Sequence, residues 1–185
     1  MNQGVCAFTG HRPGHFSFGY QEDHPDCVRL KTAIGQAVSS LVDRGVTTFI
    51  SGMAQGVDLW AAQAVLRQRE KQEDLWLIAV QPFLGQADRW PESLRQAYDD
   101  ILFSSDERLC LHPAYTPSCM MERNRWMVDH AEVLLAVYDG SASGGTAATV
   151  RYAQSRKREI WLLDPKTLLL AQLRPPQEDD QLSFL

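Results

Sequence analysis

Short apolar runs without polar interruption alternate along this chain with longer segments whose apolar residues recur at helical spacing, and no other feature limits the fold as much. The runs cover residues 4–8, the segment opening at Thr47, residues 75–80, 133–138 and 160–163, with a shorter one at Arg108–His112. A strand that is apolar on both faces needs cover on both faces, which is the situation of a parallel sheet between helical layers. Between the runs, Leu30, Ile34, Ala37, Val38 and Leu41 mark a helix over Cys27–Arg44 that Gly45 stops. Leu94, Ala97, Tyr98, Ile101 and Leu102 mark another over Trp90–Phe103, with Pro91 in its first turn. Thr116 and Pro117 open a helix that runs through His130, and a further helix spans Thr146–Arg156. The expected fold is α/β: a Rossmann-like three-layer sandwich with a mostly parallel sheet and helices on both faces.

With 185 residues, 44% of them hydrophobic, the chain suits one domain over 1–173. Residues 174–185, with Pro175-Pro176 and Glu178-Asp179-Asp180, read as an exposed C-terminal tail. A net charge of -5 argues against a broad salt-driven grip on nucleic acid and favours a small ligand. Neither a leader nor a membrane span is visible, so no membrane association and a cytoplasmic location are expected. Cys6, Cys27, Cys110 and Cys119 follow no ligand spacing and are expected as free, largely buried thiols. His11, His15, His24 and Cys27 likewise match no metal pattern, and no metal is expected.

Three strands end in glycine-bearing turns, and sheets of this kind bind ligands beyond the carboxyl ends of their strands. The first turn is Thr9-Gly10-His11-Arg12, the second Ser51-Gly52-Met53-Ala54-Gln55-Gly56, and the third Asp139-Gly140 with Gly144-Gly145-Thr146. Glycine lets a ligand approach the main chain closely, and a helix N-terminus offers N–H groups and a positive dipole end to an anion. Arg12 is a bidentate phosphate donor, and His11 a donor or general acid. Asp58 is suited to ribose hydroxyls or to the work of a base, and equally to stabilising its own helix N-terminus. Gln81, at the end of the third strand, and Trp90, as a stacking ring, complete the candidate ligand shell. On the later helix, Glu122, Arg123 and Asn124 form the remaining charged group, with Arg123 or Asn124 expected to face the ligand. The loop 9–26 is long enough to lie over the site.

Taken in order, these three motifs, with Val57-Asp58-Leu59-Trp60 and Val137-Tyr138 beside them, resemble the YpsA-like branch of the SLOG superfamily. Within that superfamily the chain is also similar to the cytokinin-activating LOG phosphoribohydrolases and to the DNA-processing protein DprA. The resemblance covers roughly residues 4–163 and implies a Rossmann-like domain that binds a nucleotide or nucleotide-derived ligand, including one with an ADP-ribose moiety. LOG enzymes carry Met-x-Glu-Arg-Lys and Pro-Gly-Gly-x-Gly-Thr-x-x-Glu, and use the Arg and the final Glu around the glycosidic bond. Here Asn124 replaces the Lys and Thr149 the Glu. An uncharged Thr cannot stabilise a developing oxocarbenium as a carboxylate does.

Three functions therefore stand side by side. The first is a nucleotide-binding sensor or ligand-binding protein. The second is a hydrolase of an N-glycosidic bond with Asp58, Glu122 and Arg123 as its catalytic group. The third is a DprA-like protein associated with single-stranded DNA. No cofactor is expected beyond the nucleotide or ADP-ribose-like ligand itself, and association of LOG relatives through helices implies a homodimer. In the tail, Gln181-Leu182-Ser183-Phe184-Leu185 resembles the peptides by which bacterial replication proteins dock on the sliding clamp.

Overall fold

The computed structural model describes residues 4–173. The clamp-like peptide Gln181–Leu185 and the rest of the tail from residue 174 lie outside the described residues.

Among the described residues, seven strands form one sheet in the order β4-β3-β2-β1-β5-β6-β7. They are β1 (Gly4–Gly10), β2 (Val46–Ser51), β3 (Trp76–Gln81), β4 (Glu107–Cys110), β5 (Val133–Val137), β6 (Glu159–Leu163) and β7 (Leu170–Leu173). All neighbours pair in parallel except β6 with β7. Five α-helices connect them: α1 (Pro25–Asp43), α2 (Val57–Arg69), α3 (Glu92–Ser104), α4 (Cys119–Asp129) and α5 (Gly145–Ser155).

Strand alternation divides the core in two. Cys6, Phe8, Phe49, Leu77 and Leu135 point towards α1, α2 and α3, where Leu30, Ile34, Trp60 and Tyr98 meet them. Ala7, Ile50, Val80, Leu134 and Ala136 point the other way, onto Met127 and Val128 of α4 and Val150 and Ala153 of α5. Helices thus cover both faces, which is the expected three-layer α/β sandwich. The two faces also explain why β1, β3 and β5 carry no polar positions in their middle.

The sequence does not reveal β7. Its four residues, Leu-Ala-Gln-Leu, are too few for periodicity to register. The turn that aims them back along β6 is set by Asp164, whose Oδ1 accepts the Lys166 and Thr167 N–H groups at 2.7 and 3.3 Å. Four helix starts also differ from expectation: α1 begins at Pro25 rather than Cys27, α3 after Pro91, α4 after Ser118 rather than at Pro117, and α5 at Gly145 rather than Thr146. Gly45 follows α1 at φ 95°, the left-handed position that ends helices there.

The chain walks outward from β1 to β4 and then returns to lay β5 against the other side of β1. The strand order therefore reverses between β1 and β5. Register pairs Phe8 with Leu135 and Gly10 with Val137, so both strands end at the same height and their loops diverge from one crevice.

Candidate functional site

The first two glycine turns are filled by protein. A Cβ on Gly10 would lie 2.6 Å from Cβ and both Cγ atoms of Val57, the first residue of α2. One on Gly52 would lie 2.5 Å from Arg123 Nη1 and 2.7 Å from Asp58 Oδ2. Gly56, at φ 87°, caps α2 against Pro13 Cδ, 2.8 Å from its missing Cβ, and against the carbonyl of His11. These glycines bring main chain close to main chain and side chain, where the sequence suggested room for a ligand. Thr9, on β1, is buried, and Ser51 is fully buried: its hydroxyl donates to the Asp58 carbonyl at 2.9 Å and accepts the Met53 N–H at 3.2 Å. Met53 itself sits in the core at φ 58°, a left-handed conformation for a non-glycine residue, held by that bond.

Under this turn lies an ion pair. Arg123 is 4% exposed, its Nη1 donates to the Gly52 carbonyl, its Nε donates to Asn124 Oδ1 at 2.8 Å, and Asp58 Oδ2 stands 3.9 Å from Nη1. Burial pushes the Asp58 carboxyl up, against the pull of Arg123, and pushes the Arg123 guanidinium down, against the pull of Asp58. Arg12 stays exposed at the rim above them, lining a 40 Å³ hollow with Gln55, Gln86 and Trp90. Trp90 packs edge-on to Tyr98 at 5.3 Å, and Gln81 Nε2 donates to the Tyr98 hydroxyl at 2.5 Å. Tyr98 is core.

Asn124 and Thr149, the two departures from the LOG pattern, touch each other. Asn124 Nδ2 donates to Thr149 Oγ1 at 3.0 Å, and that hydroxyl donates to the Gly145 carbonyl at 2.8 Å. A neutral bridge ties α4 to the start of α5. Glu122 turns away from this group: it is exposed, and it accepts from Ser118 and pairs with His112 Nε2 at 2.6 Å. Those two partners, Ser118 first, hold its carboxyl below the usual range.

The third turn differs from the other two. Gly140 (φ 81°), Gly144 (φ 99°) and Gly145 are exposed, and a Cβ on any of them would meet nothing within 4 Å. Gly144 is the N-cap of α5, offers no side-chain cap, and no acidic residue follows in the first turn. α2 likewise has a glycine cap, but Asp58 supplies its first turn with a negative charge. Of the two glycine-capped helices at the crevice, only α5 presents N–H groups and a dipole end that no carboxylate of its first turn answers. Thr146, the second residue of α5, is buried.

Asp139 joins this turn to the first one. Its Oδ1 takes the Ser141 N–H at 3.1 Å and His11 Nε2 at 3.2 Å, while Oδ2 takes His15 Nε2 at 3.0 Å. Both imidazoles face a carboxylate, so each carries its hydrogen on Nε2. The rings stack with centroids 3.6 Å apart. Hydrogen bonding, from His15 first, holds the Asp139 carboxyl well below the usual range; burial, then the neighbouring His15, lowers His11 against the pull of Asp139. His15 had no place in the expected site. His24 and Cys27, considered with it, go elsewhere: His24 Nδ1 accepts the Asp26 N–H at the start of α1, and Cys27 is in the core. Beyond His15 and Asp139 opens a cleft of about 580 Å³ that Phe16, Arg29, Lys166 and Leu168 also line.

The loop over the crevice is packed in place. Phe16 stacks on Phe18 at 5.0 Å, both lie against Trp60, and Trp60 Nε1 donates to Glu22 Oε1 at 3.0 Å.

A doubly wound sheet with glycine turns around its point of reversal defines a Rossmann-like α/β protein. More narrowly, the chain belongs to the YpsA family (YspA SLOG family), whose model matches residues 6–168. A UPF0398 protein of Bacillus cereus is 30% identical over 180 residues, 96% of either chain. A UPF0398 protein of Bacillus velezensis is 28% identical over 156 residues, 83% of this chain and 85% of its own. Another, of Halalkalibacterium halodurans, is 27% identical over 170 residues, 89% of each. The resemblance drawn from the three motifs is thereby established at the level of the family. Among the described residues, no helix is long and apolar enough to cross a membrane.

Proposed function

We propose that this protein binds a nucleotide or nucleotide-derived anion in the β1–β5 crevice, with phosphate on the turn Gly140–Thr146 and on Arg12, and acts as a ligand-binding protein or sensor. One observation carries the reading: the α5 N-terminus, at the point of strand reversal, is open, glycine-lined and without a carboxylate in its first turn. Anions bind where helix N–H groups and dipole converge, and in doubly wound sheets ligands bind at this reversal.

Binding without cleavage is the form the site favours. Of the residues that LOG-type hydrolysis would use, Arg123 is spent on Gly52 and Asn124, Glu122 faces outward, and Thr149 brings no charge. Asp58 is the carboxylate left, buried beside Arg123.

The test is a thermal-shift screen with AMP, ADP, ATP, NAD and ADP-ribose, followed by an assay for ribose 5-phosphate. A ligand at a hundred times its Kd adds about 2.7 kcal/mol. The proposal expects a raised melting temperature with at least one compound and no ribose 5-phosphate release. A flat screen contradicts nucleotide binding; a shift accompanied by turnover contradicts the sensor and restores the hydrolase.

A further inference from the structure

We infer that His11, His15 and Asp139 form a binding site for a first-row divalent transition metal such as Zn²⁺, open towards the neighbouring cleft. Each residue offers one ligand atom, and the three atoms lie within 4.8 Å of one another. His11 Nε2 is 3.2 Å from Asp139 Oδ1, and His15 Nε2 is 3.0 Å from Oδ2, so both nitrogens already converge on the carboxylate. An ion bound at ordinary distances of about 2.0–2.2 Å places its ligand atoms about this far apart.

The fold holds the three groups before any ion arrives. His11 is buried at the end of β1, Asp139 follows β5, and the Pro13–His15 turn stacks the second ring on the first at 3.6 Å. Binding requires each imidazole to move its hydrogen from Nε2 to Nδ1, which frees the Nε2 lone pair without a net change of charge. Two imidazoles and one carboxylate suit zinc, cobalt or nickel, whereas magnesium and calcium favour all-oxygen sites.

Three protein ligands leave at least one position open, as in sites that bind a further molecule. Here that position borders the cleft of about 580 Å³ lined by His15, Asp139, Arg29 and Lys166. On that wall Arg29 is already paired with Asp26, and the Lys166 ammonium beside a metal favours an anion, phosphate or carboxylate, as the added ligand. The metal site stands on its three side chains and is independent of the nucleotide reading.

The experiment is equilibrium dialysis of the full chain with Zn²⁺, with Co²⁺ absorption as a spectroscopic check, on wild type, His15→Ala, His15→Gln, Asp139→Ala and His24→Ala. Circular dichroism first establishes that each variant is folded. His15→Gln keeps a polar side chain at the exposed ring position while removing the imidazole ligand. Wild type and His24→Ala should bind about one ion, with visible Co²⁺ bands and no competition from Mg²⁺. Loss of an outer-shell partner alone costs 10–100-fold in affinity, so loss of a direct ligand should weaken binding at least about 100-fold. Absence of binding to wild type, equal binding by the His15 variants, or an equal loss in His24→Ala would each overturn the assignment.

Discussion

The turns after β1 and β2 and the turn after β5 share a composition and differ in what their glycines touch. At Gly10, Gly52 and Gly56 the space a side chain would fill is occupied by Val57, by Arg123 with Asp58, and by Pro13. At Gly140, Gly144 and Gly145 it is open. The first pair of turns uses glycine to build the crevice, and the last uses it to leave the crevice accessible. A glycine-rich turn is thus evidence of close approach, and only its surroundings say whether protein or ligand approaches.

The largest expected effect breaks the filled side. Gly10→Ala must displace the stiff, β-branched Val57, and Gly52→Ala must displace a guanidinium held by the Gly52 carbonyl and Asn124. Each should cost about 3 kcal/mol in urea unfolding, the upper part of the overpacking range. A loss below about 1 kcal/mol would mean that α2 or α4 yields freely.

Asp58→Asn is next and concerns pH. Burial raises the folded carboxyl above its unfolded value of about 3.9. Such a group contributes stability that is fully present below the unfolded value and is lost as pH rises through the folded one. The wild type should therefore lose stability relative to Asp58→Asn as pH climbs above about 4. An advantage of the wild type that grows with pH would show that the attraction of Arg123 dominates burial.

On the open side, Gly145→Ala should change stability by no more than about 0.5 kcal/mol, as expected of an exposed position with free space. A loss comparable to that of Gly52→Ala would erase the contrast between the turns. The smallest effect is chemical. In the native protein a thiol reagent should label Cys110, which is half-buried, while Cys6, Cys27 and Cys119 stay protected. Burial also pushes the Cys6 thiol up to about 12, so raising the pH to 9 should not expose it as thiolate. Labelling of Cys6 on the timescale of Cys110 would point to local opening of β1.

Much of the fold was legible because uninterrupted strands and striped helices alternate. The three-layer arrangement follows from strands such as β5, buried along its whole length. Where the sequence misled, the cause was contact between residues far apart in the chain. Ser51 and Gly52 read as ligand contacts, yet their partners, Asp58 and Arg123, include one 71 residues away. The His15–Asp139 contact spans 124 residues and follows no motif. Nor does adjacency along α4 tell that Arg123 faces inward while Glu122 faces His112, because neighbouring helical residues point about 100° apart.

The most direct test of ligand binding at the open turn is a calorimetric titration of the best compound from the nucleotide screen into wild type, Gly145→Ala and Gly145→Asp. An aspartate in the first turn of α5 favours the helix itself by about 0.3–1 kcal/mol, so the fold should be retained while an anion is repelled. Binding by the wild type that Gly145→Asp abolishes, with its melting temperature undiminished, is the predicted result. Equal affinity in Gly145→Asp and wild type would place the ligand elsewhere and contradict the account.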